Sequence, residues 1–145
     1  MRGVLFILLV AAIFSSISIS LRTQDSGDNA STLAIAANFL TFRSAALKYI
    51  SKHPGASGDI SSSSLSEYLP LGFSPRRPWK ATVISKILYV WGNANSYEIS
   101  AARELAHNPF SIGTVKNGII LPNAPLPIAV PANIPDGSLI GVSGV

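Results

Sequence analysis

The chain has 145 residues, of which 48% are hydrophobic and only 12% are charged, with a net charge of +4 and no cysteine. This length allows one compact domain in addition to a leader. The lack of cysteine excludes disulfides, thiolate metal sites and cysteine catalysis. The basic residues are scattered except at Arg76, Arg77 and Lys80. Because a nucleic-acid site needs a dense basic face, we expect no nucleic-acid partner.

An apolar run behind Arg2 opens the chain, and residues 3–21 carry no charge. As a helix this run would be about 28 Å long, close to the hydrocarbon core of a bilayer at about 30 Å. We expect residues 1–21 to be a membrane anchor, or else a signal peptide that is cut near Ser20, where small residues alternate. The anchor would consist of apolar side chains, namely Val4, Leu5, Phe6, Ile7, Leu8, Leu9, Val10, Ile13 and Phe14.

Residues 22–30 are polar and include a glycine, which predicts a linker, so that residues 31–145 form the folded domain. A long amphipathic helix follows, capped by Asn29 or Ser31 and ended near Lys52 by the residues 53–55. Its apolar residues recur at spacings of three and four, a period typical of a helix packed on a core: Ile35, Phe39, Phe42, Ala46 and Ile50.

The middle of the chain predicts two adjacent strands, residues 79–85 and 86–91, the second rich in β-branched and aromatic residues. The serine-rich residues 55–64 before them predict a loop, and residues 65–69 a short helical turn. Asn95 and Glu98 have the spacing of a capping box, which predicts a second helix over residues 97–107.

Strands at residues 111–115 and 119–121 flank Asn117-Gly118, the strongest short hairpin signal in the chain. Five prolines between residues 122 and 135 exclude a helix and allow at most an edge strand, so this segment should wrap the surface. A turn at residues 135–137 then precedes a last strand over residues 138–142. The predicted fold class is α+β: an N-terminal transmembrane helix, then one long helix on a small, mostly antiparallel sheet with a short second helix.

Residues that could carry chemistry are few. His53 and His107 lie at predicted helix ends, where a cationic side chain is favoured, so capping is the simpler interpretation. Glu98 and Glu104 are expected to face water, and no nucleotide-binding, hydrolase or metal-ligand spacing occurs. We therefore expect no enzyme activity, no cofactor, no metal and no small-molecule substrate. The remaining candidates are partner contacts: Arg76, Arg77, Trp79, Tyr89 and Trp91. For the aromatic residues, packing of the long helix onto the sheet is the simpler interpretation, and for the two arginines it is a solvated pair in a loop.

The order of these segments resembles the small PilM family of conjugative thin-pilus systems, a type IVB pilus machinery, and not the actin-like cytoplasmic protein of the same name. The resemblance covers nearly the whole chain: the leader, the helix with Ala36-Ala-Asn-Phe-Leu-Thr-Phe-Arg43, Leu88-Tyr-Val-Trp91, the residues 111–118 and Val130-Pro-Ala-Asn-Ile-Pro-Asp-Gly137. It implies an inner-membrane component of the pilus assembly apparatus with a periplasmic domain, whose partners are the membrane and other pilus-assembly proteins. It supplies no catalytic residues.

Two other functions remain open from the sequence. A minor pilin would be cut after Gly3, yet Leu8 stands at the fifth mature position, where a pilin normally has glutamate. The residues Gly27-Asp28 are also expected to interrupt the continuous helix that a pilin would have. A secreted binding protein would instead be cut near Ser20 and would be freely soluble.

Overall fold

A computed structural model describes residues 28–121 and 127–144 of the chain. The predicted anchor and most of the predicted linker lie outside these residues. None of the helices in the described ranges is both long and apolar enough to cross a membrane. The chain divides into two units, Met1–Thr32 and Leu33–Val145, and the packing described below belongs to the second.

Helix α1 covers residues 28–52 of the described chain. The predicted end is confirmed: the backbone N–H of His53 donates to the carbonyl of Tyr49 at 2.9 Å, and Pro54 cannot continue the helix. Its predicted start is wrong, because residues 28–30, which we assigned to the linker, are already helical and neither Asn29 nor Ser31 is a cap. Of the predicted apolar face, Phe39, Phe42, Ala46 and Ile50 are buried and Ile35 is half-buried, and Ala36 and Ala45 are buried beside them.

In the described residues, six antiparallel strands form one sheet in the order β1-β2-β3-β6-β4-β5. Their bounds are β1 Gly58–Ile60, β2 Lys80–Ile84, β3 Ile87–Gly92, β4 Ile112–Lys116, β5 Ile119–Leu121 and β6 Leu139–Gly144. The last strand in the chain is therefore inserted between β3 and β4, and it joins the two hairpins into a single sheet.

Both hairpins turn through two residues in the left-handed region. Asn117 and Gly118 have φ values of 52° and 71°, as the Asn-Gly pair predicted. Between β2 and β3, Ser85 and Lys86 adopt φ values of 51° and 63°. Because neither residue favours this region, the sequence predicted two strands there but only a weak break between them.

The loop predicted over residues 55–64 is partly wrong, since it contains β1 and the start of the short helix α2, Ser62–Leu65. The Ser61 side chain caps α2 by accepting from the backbone N–H of Ser64. Helix α3 spans Ser96–Leu105 and has the predicted capping box, and a 3₁₀ turn follows at Pro109–Ser111. The sequence did not predict β1 and α2 because their small polar residues are also typical of loops.

The sheet has a different cover on each face. On the helix face, α1 and α3 pack against side chains of the strands that include Ala81, Val83, Leu88, Val90, Ile112 and Leu139. On the opposite face, which we call the proline face, the residues 127–137 supply Ile128, Val130 and Ile134 to a second apolar cluster with Tyr89, Val115, Ile120, Ile140 and Val142. The two clusters are separated by the sheet, as the alternation of side chains along each strand requires.

The proline-rich segment wraps the sheet as predicted, where it is described. Ala129 forms an isolated antiparallel bridge with Ile119 on the edge strand β5. The N–H of Val130 donates to the carbonyl of Gly118 at 2.9 Å, and the N–H of Gly137 to that of Val115 at 2.8 Å. These hydrogen bonds hold a segment without helix or strand along one edge of the sheet.

Candidate functional site

Trp79, proposed as a partner contact, lies in the core instead. Its side chain is 5% exposed and meets the ring of Phe39 edge-on at a centroid distance of 5.1 Å. The indole Nε1–H donates to Oδ1 of Asn38 at 2.8 Å. The alternative interpretation, that an aromatic residue packs the long helix onto the sheet, is therefore the correct one for Trp79.

Tyr89 and Trp91 lie on the proline face, away from α1. Tyr89 is buried, and its hydroxyl donates to the carbonyl of Ala129 at 3.5 Å, a long hydrogen bond. Burial raises the pKa of the Tyr89 hydroxyl. Trp91 is half-buried, with the ammonium of Lys80 at 4.8 Å from its ring centroid, within the range of a cation–π contact. Of the three aromatic candidates, only Trp91 keeps accessible surface that a partner could reach.

Arg77 is engaged within the chain, because its Nη2 lies 2.7 Å from Oε1 of Glu98. The Glu98 side chain is 2% exposed, so the expectation that Glu98 faces water is wrong. Its second oxygen accepts from the backbone N–H of Asn95 at 2.9 Å, and Asn95 accepts from the N–H of Glu98 in return. One carboxylate thus closes the capping box of α3 and pairs with the loop before β2. Glu104 is exposed, as expected.

Asn38 joins α1 to the same loop. Its Nδ2 donates to the carbonyl of Ser74 at 2.9 Å, and its Oδ1 accepts from the backbone N–H of Arg76 at 2.9 Å as well as from Trp79. These bonds fix the backbone at Arg76 while the residue itself stays exposed. Among the predicted contact residues, Arg76 is the one that is both exposed and charged.

Arg43 forms a polar junction that the sequence did not reveal, because Arg43 falls outside the apolar stripe of α1. Its Nη2 donates to Oγ of Ser143 at 2.8 Å, Oγ of Ser111 at 3.1 Å and the carbonyl of Val142 at 3.3 Å. A Cβ at Gly141 would come within 2.8 Å of Arg43 Cδ, so glycine leaves room for this side chain. Burial lowers the pKa of the guanidinium. The feature of the sequence that could have indicated this junction is the pair of small residues Gly141 and Ser143, which leave room on β6 for a long side chain.

A groove of about 650 Å³ lies between α3 and the hairpin of β4 and β5. From α3 the groove is lined by Ser96, Ile99, Ser100 and Arg103. The hairpin contributes Thr114 and Leu121, and Ala94 and Gly137 complete the lining. No sequence motif indicated this groove, since its residues come from four separate parts of the chain.

The titratable side chains in the part of the chain that the structure describes form no cluster suited to a metal ion. There, no group of three or more His, Asp or Glu side chains could hold a metal ion. His53 caps α1, with Nδ1 at 2.9 Å from the carbonyl of Tyr49 and its ring stacked on Tyr49 at 4.3 Å. The buried carboxylate of Glu98 is occupied by Arg77 and Asn95. These polar side chains join elements of the fold.

Comparison with known proteins identifies the family. A sequence model of the PilM family matches residues 5–142, nearly the whole chain. The chain belongs to the PilM family. The resemblance inferred from its segments is thereby confirmed, and this PilM-family protein is related to pilus biogenesis.

The fold is also similar to a solved one. The crystal structure of a protein designated PilM from Escherichia coli B7A superposes with a TM-score of 0.60 at 24% sequence identity, over 80% of this chain and 94% of that one. At this level of identity the similarity concerns the fold alone. Among curated proteins, none matches the chain significantly.

Proposed function

We propose that this PilM-family protein is a non-catalytic, membrane-anchored component of a conjugative thin-pilus apparatus that acts by contacting other assembly proteins. The observation that carries the proposal is the extent of the family match, which begins at residue 5, within the apolar leader. The leader therefore belongs to the sequence pattern that defines the family. Its uncharged residues 3–21 have the length that a membrane-spanning helix requires.

The roles of the buried polar side chains support a structural function. Glu98 binds Arg77 and the α3 cap, Asn38 holds the loop before β2, and Arg43 joins α1 to β6. A catalytic acid or base needs a free position beside a substrate. Since these side chains make contacts within the fold, the surface is the part of the domain that remains available for function.

The proposed location is the bacterial inner membrane, with one membrane pass and the domain in the periplasm. The absence of cysteine is compatible with an oxidising compartment, because the domain has two apolar clusters and does not depend on disulfides for its stability. Arg2 precedes the apolar run and Arg22 follows it, so the positive charges beside the run are balanced and the proposed orientation rests on the resemblance to the PilM family.

Membrane fractionation combined with mass analysis of the intact chain tests this proposal. We expect the inner-membrane fraction to contain the protein with its leader uncut. The variant Leu9→Arg, which places a charge in the middle of the apolar run, should lose membrane retention because a charge at the bilayer centre costs about 3 kcal/mol. Leu9→Phe is the matched control and should remain in the membrane.

Two other outcomes would overturn the anchor. A soluble form that starts near Leu21 would identify a secreted binding protein. A form that starts at Val4 in sheared pili would identify a minor pilin. The structure supports this alternative at one residue: Asp28, which was expected to interrupt the helix together with Gly27, is itself helical.

A further inference from the structure

The groove between α3 and the β4–β5 hairpin has apolar side chains on both of its walls. Ser96, Ile99 and Arg103 follow one another at spacings of three and four, so they lie on one face of α3. Leu121 and Thr114 form the opposite wall. The volume of about 650 Å³ lies within the range of about 300–1,000 Å³ that ligand sites in proteins have. Apolar side chains can therefore enter between Ile99 and Leu121.

Arg103 gives this apolar groove a positive charge that the neighbouring sequence does not neutralise. The residues three and four positions away are Ile99, Ser100, Ala106 and His107, so α3 supplies no carboxylate at the spacing of a helical ion pair. The ion pair found in the described ranges is that of Arg77 with Glu98. Within the same ranges, Nε of Arg103 is buried and has no hydrogen-bond partner. The same holds for Nε of Arg43 and of Arg77, so this atom marks no site by itself, and the feature of the groove that a partner would meet is the charge of the Arg103 guanidinium.

The charge also limits which occupant fits. In a symmetric dimer formed through this groove, the same patch of both copies would meet, and the two Arg103 side chains would approach each other. Like charges in an apolar contact are unfavourable. The chain as a whole has a net charge of +4, which favours an acidic partner over a second copy.

We propose that the groove binds a segment of another pilus-assembly protein in which an Asp or Glu stands between apolar side chains. The apolar side chains contact Ile99 and Leu121, and the carboxylate accepts hydrogen bonds from the guanidinium of Arg103, which offers two parallel donors. The hydroxyls of Ser100 and Thr114 are available to the backbone of the segment. The identity of the partner as an assembly protein rests on the proposed function, whereas the chemistry of the groove does not.

The test compares two capped peptides that differ in one group, acetyl-Gly-Leu-Asp-Leu-Gly-amide and its Asn analogue. Binding to the full-length protein in nanodiscs is measured by isothermal titration calorimetry at pH 7. We expect the Asp peptide to bind about tenfold more tightly, a difference of about 1.4 kcal/mol. High salt should reduce this preference in the unmodified protein because it screens the ion pair.

Matched variants locate the site. Arg103→Gln should remove the preference for Asp, and Arg103→Lys should keep part of it, whereas Lys52→Gln removes an exposed positive charge elsewhere, at the end of α1, and should change nothing. Ser100→Trp should block both peptides because it fills the groove from an exposed position on α3. Ser51→Trp, at an exposed position on α1, is the control for the added bulk.

Three results would overturn the inference. Neither peptide binds, or the preference for Asp survives in Arg103→Gln. In the third, sedimentation without peptide shows that the unmodified protein is a dimer and that Ser100→Trp is a monomer. The last result would assign the groove to a second copy. Each of these results would leave the fractionation result for the leader unchanged, so that a failure of the groove and a failure of the anchored function can be told apart.

Discussion

The two faces of the sheet reach a similar degree of burial by different means. On the helix face, α1 and α3 cover the strands, and Phe39 and Leu88 are completely inaccessible. On the proline face, irregular chain takes the place of a helix, and Ile134 and Tyr89 keep about 5% of their surface or less. An apolar sheet face must be buried by apolar side chains from another part of the chain, but that part need not be a helix or a strand.

This difference determines how each face responds to a lost side chain. A helix is held by its own hydrogen-bond ladder and cannot move one residue without its neighbours. The residues 127–137 are held to the sheet by a small set of backbone hydrogen bonds, among them Val130 to Gly118 and Gly137 to Val115. The proline face should therefore close a cavity more readily than the helix face.

Truncation of one core side chain on each face tests this idea and gives the largest expected effect. Phe39→Ala should lower the free energy of unfolding by about 3–5 kcal/mol, because the ring packs on Trp79 and the surrounding helix cannot close the cavity. Ile134→Ala should cost about 2 kcal/mol, at the low end for such a change, because its segment can settle onto the sheet. Urea unfolding followed by circular dichroism measures both values.

Equal costs for the two variants, after correction for the size of the side chain removed, would show that the proline face is as rigid as the helix face. Leu33→Ala is a suitable control, since Leu33 lies on α1 but is 48% exposed. Its cost should be below about 1 kcal/mol.

The helix face was also the more predictable from sequence. The recurrence of Phe39, Phe42 and Ala46 at helical spacing reports burial directly. The Asn117-Gly118 turn was equally clear because both residues tolerate positive φ. On the proline face the prolines excluded helix and central strand, yet nothing local indicated which strands the segment covers. That choice depends on β6 entering between β3 and β4, a pairing between distant parts of the chain.

The candidate site was less predictable than the fold. The capping box at Asn95 and Glu98 was recognised, but the burial of Glu98 depends on Arg77, which lies 21 residues earlier. The groove at α3 and the Arg43 junction likewise combine residues that no local pattern connects. Side-chain chemistry in this protein is assembled by tertiary contacts, and single-sequence patterns report mainly local structure.

The Glu98 carboxylate links α3 to the loop before β2, and its removal should give the second-largest effect. Glu98→Ala loses the contact with Arg77 and half of the capping box, which together should cost about 2 kcal/mol. The cost stays below that of a fully buried pair because the Arg77 side chain, 39% exposed, can be rehydrated. Thermal unfolding compares it with Glu104→Ala, an exposed residue of the same helix, which should be nearly neutral. A neutral result for Glu98→Ala would mean that packing alone holds α3 against this loop.

The smallest effect concerns the hydroxyl of Tyr89 on the proline face. Burial raises the pKa of Tyr89 above its ordinary value of about 10, because the folded state disfavours the charged form. The unfolded chain therefore releases this proton at a lower pH than the folded one. The contribution of the protonated Tyr89 hydroxyl to the free energy of unfolding is therefore present below about pH 10 and is lost as the pH rises through the folded-state pKa.

Tyr89→Phe should accordingly change the free energy of unfolding by less than about 1 kcal/mol at pH 7, since the hydrogen bond to Ala129 is long at 3.5 Å. Above pH 10 the variant should lose stability less steeply than the unmodified protein. Urea unfolding at pH 7, 9, 10.5 and 11 measures this difference in slope, with Tyr97→Phe as the control because Tyr97 is 76% exposed. Identical slopes for Tyr89→Phe and the unmodified protein would show that water reaches the hydroxyl. In that case the irregular cover on the proline face would open enough to solvate a charge, which the packed helices on the other face could not do.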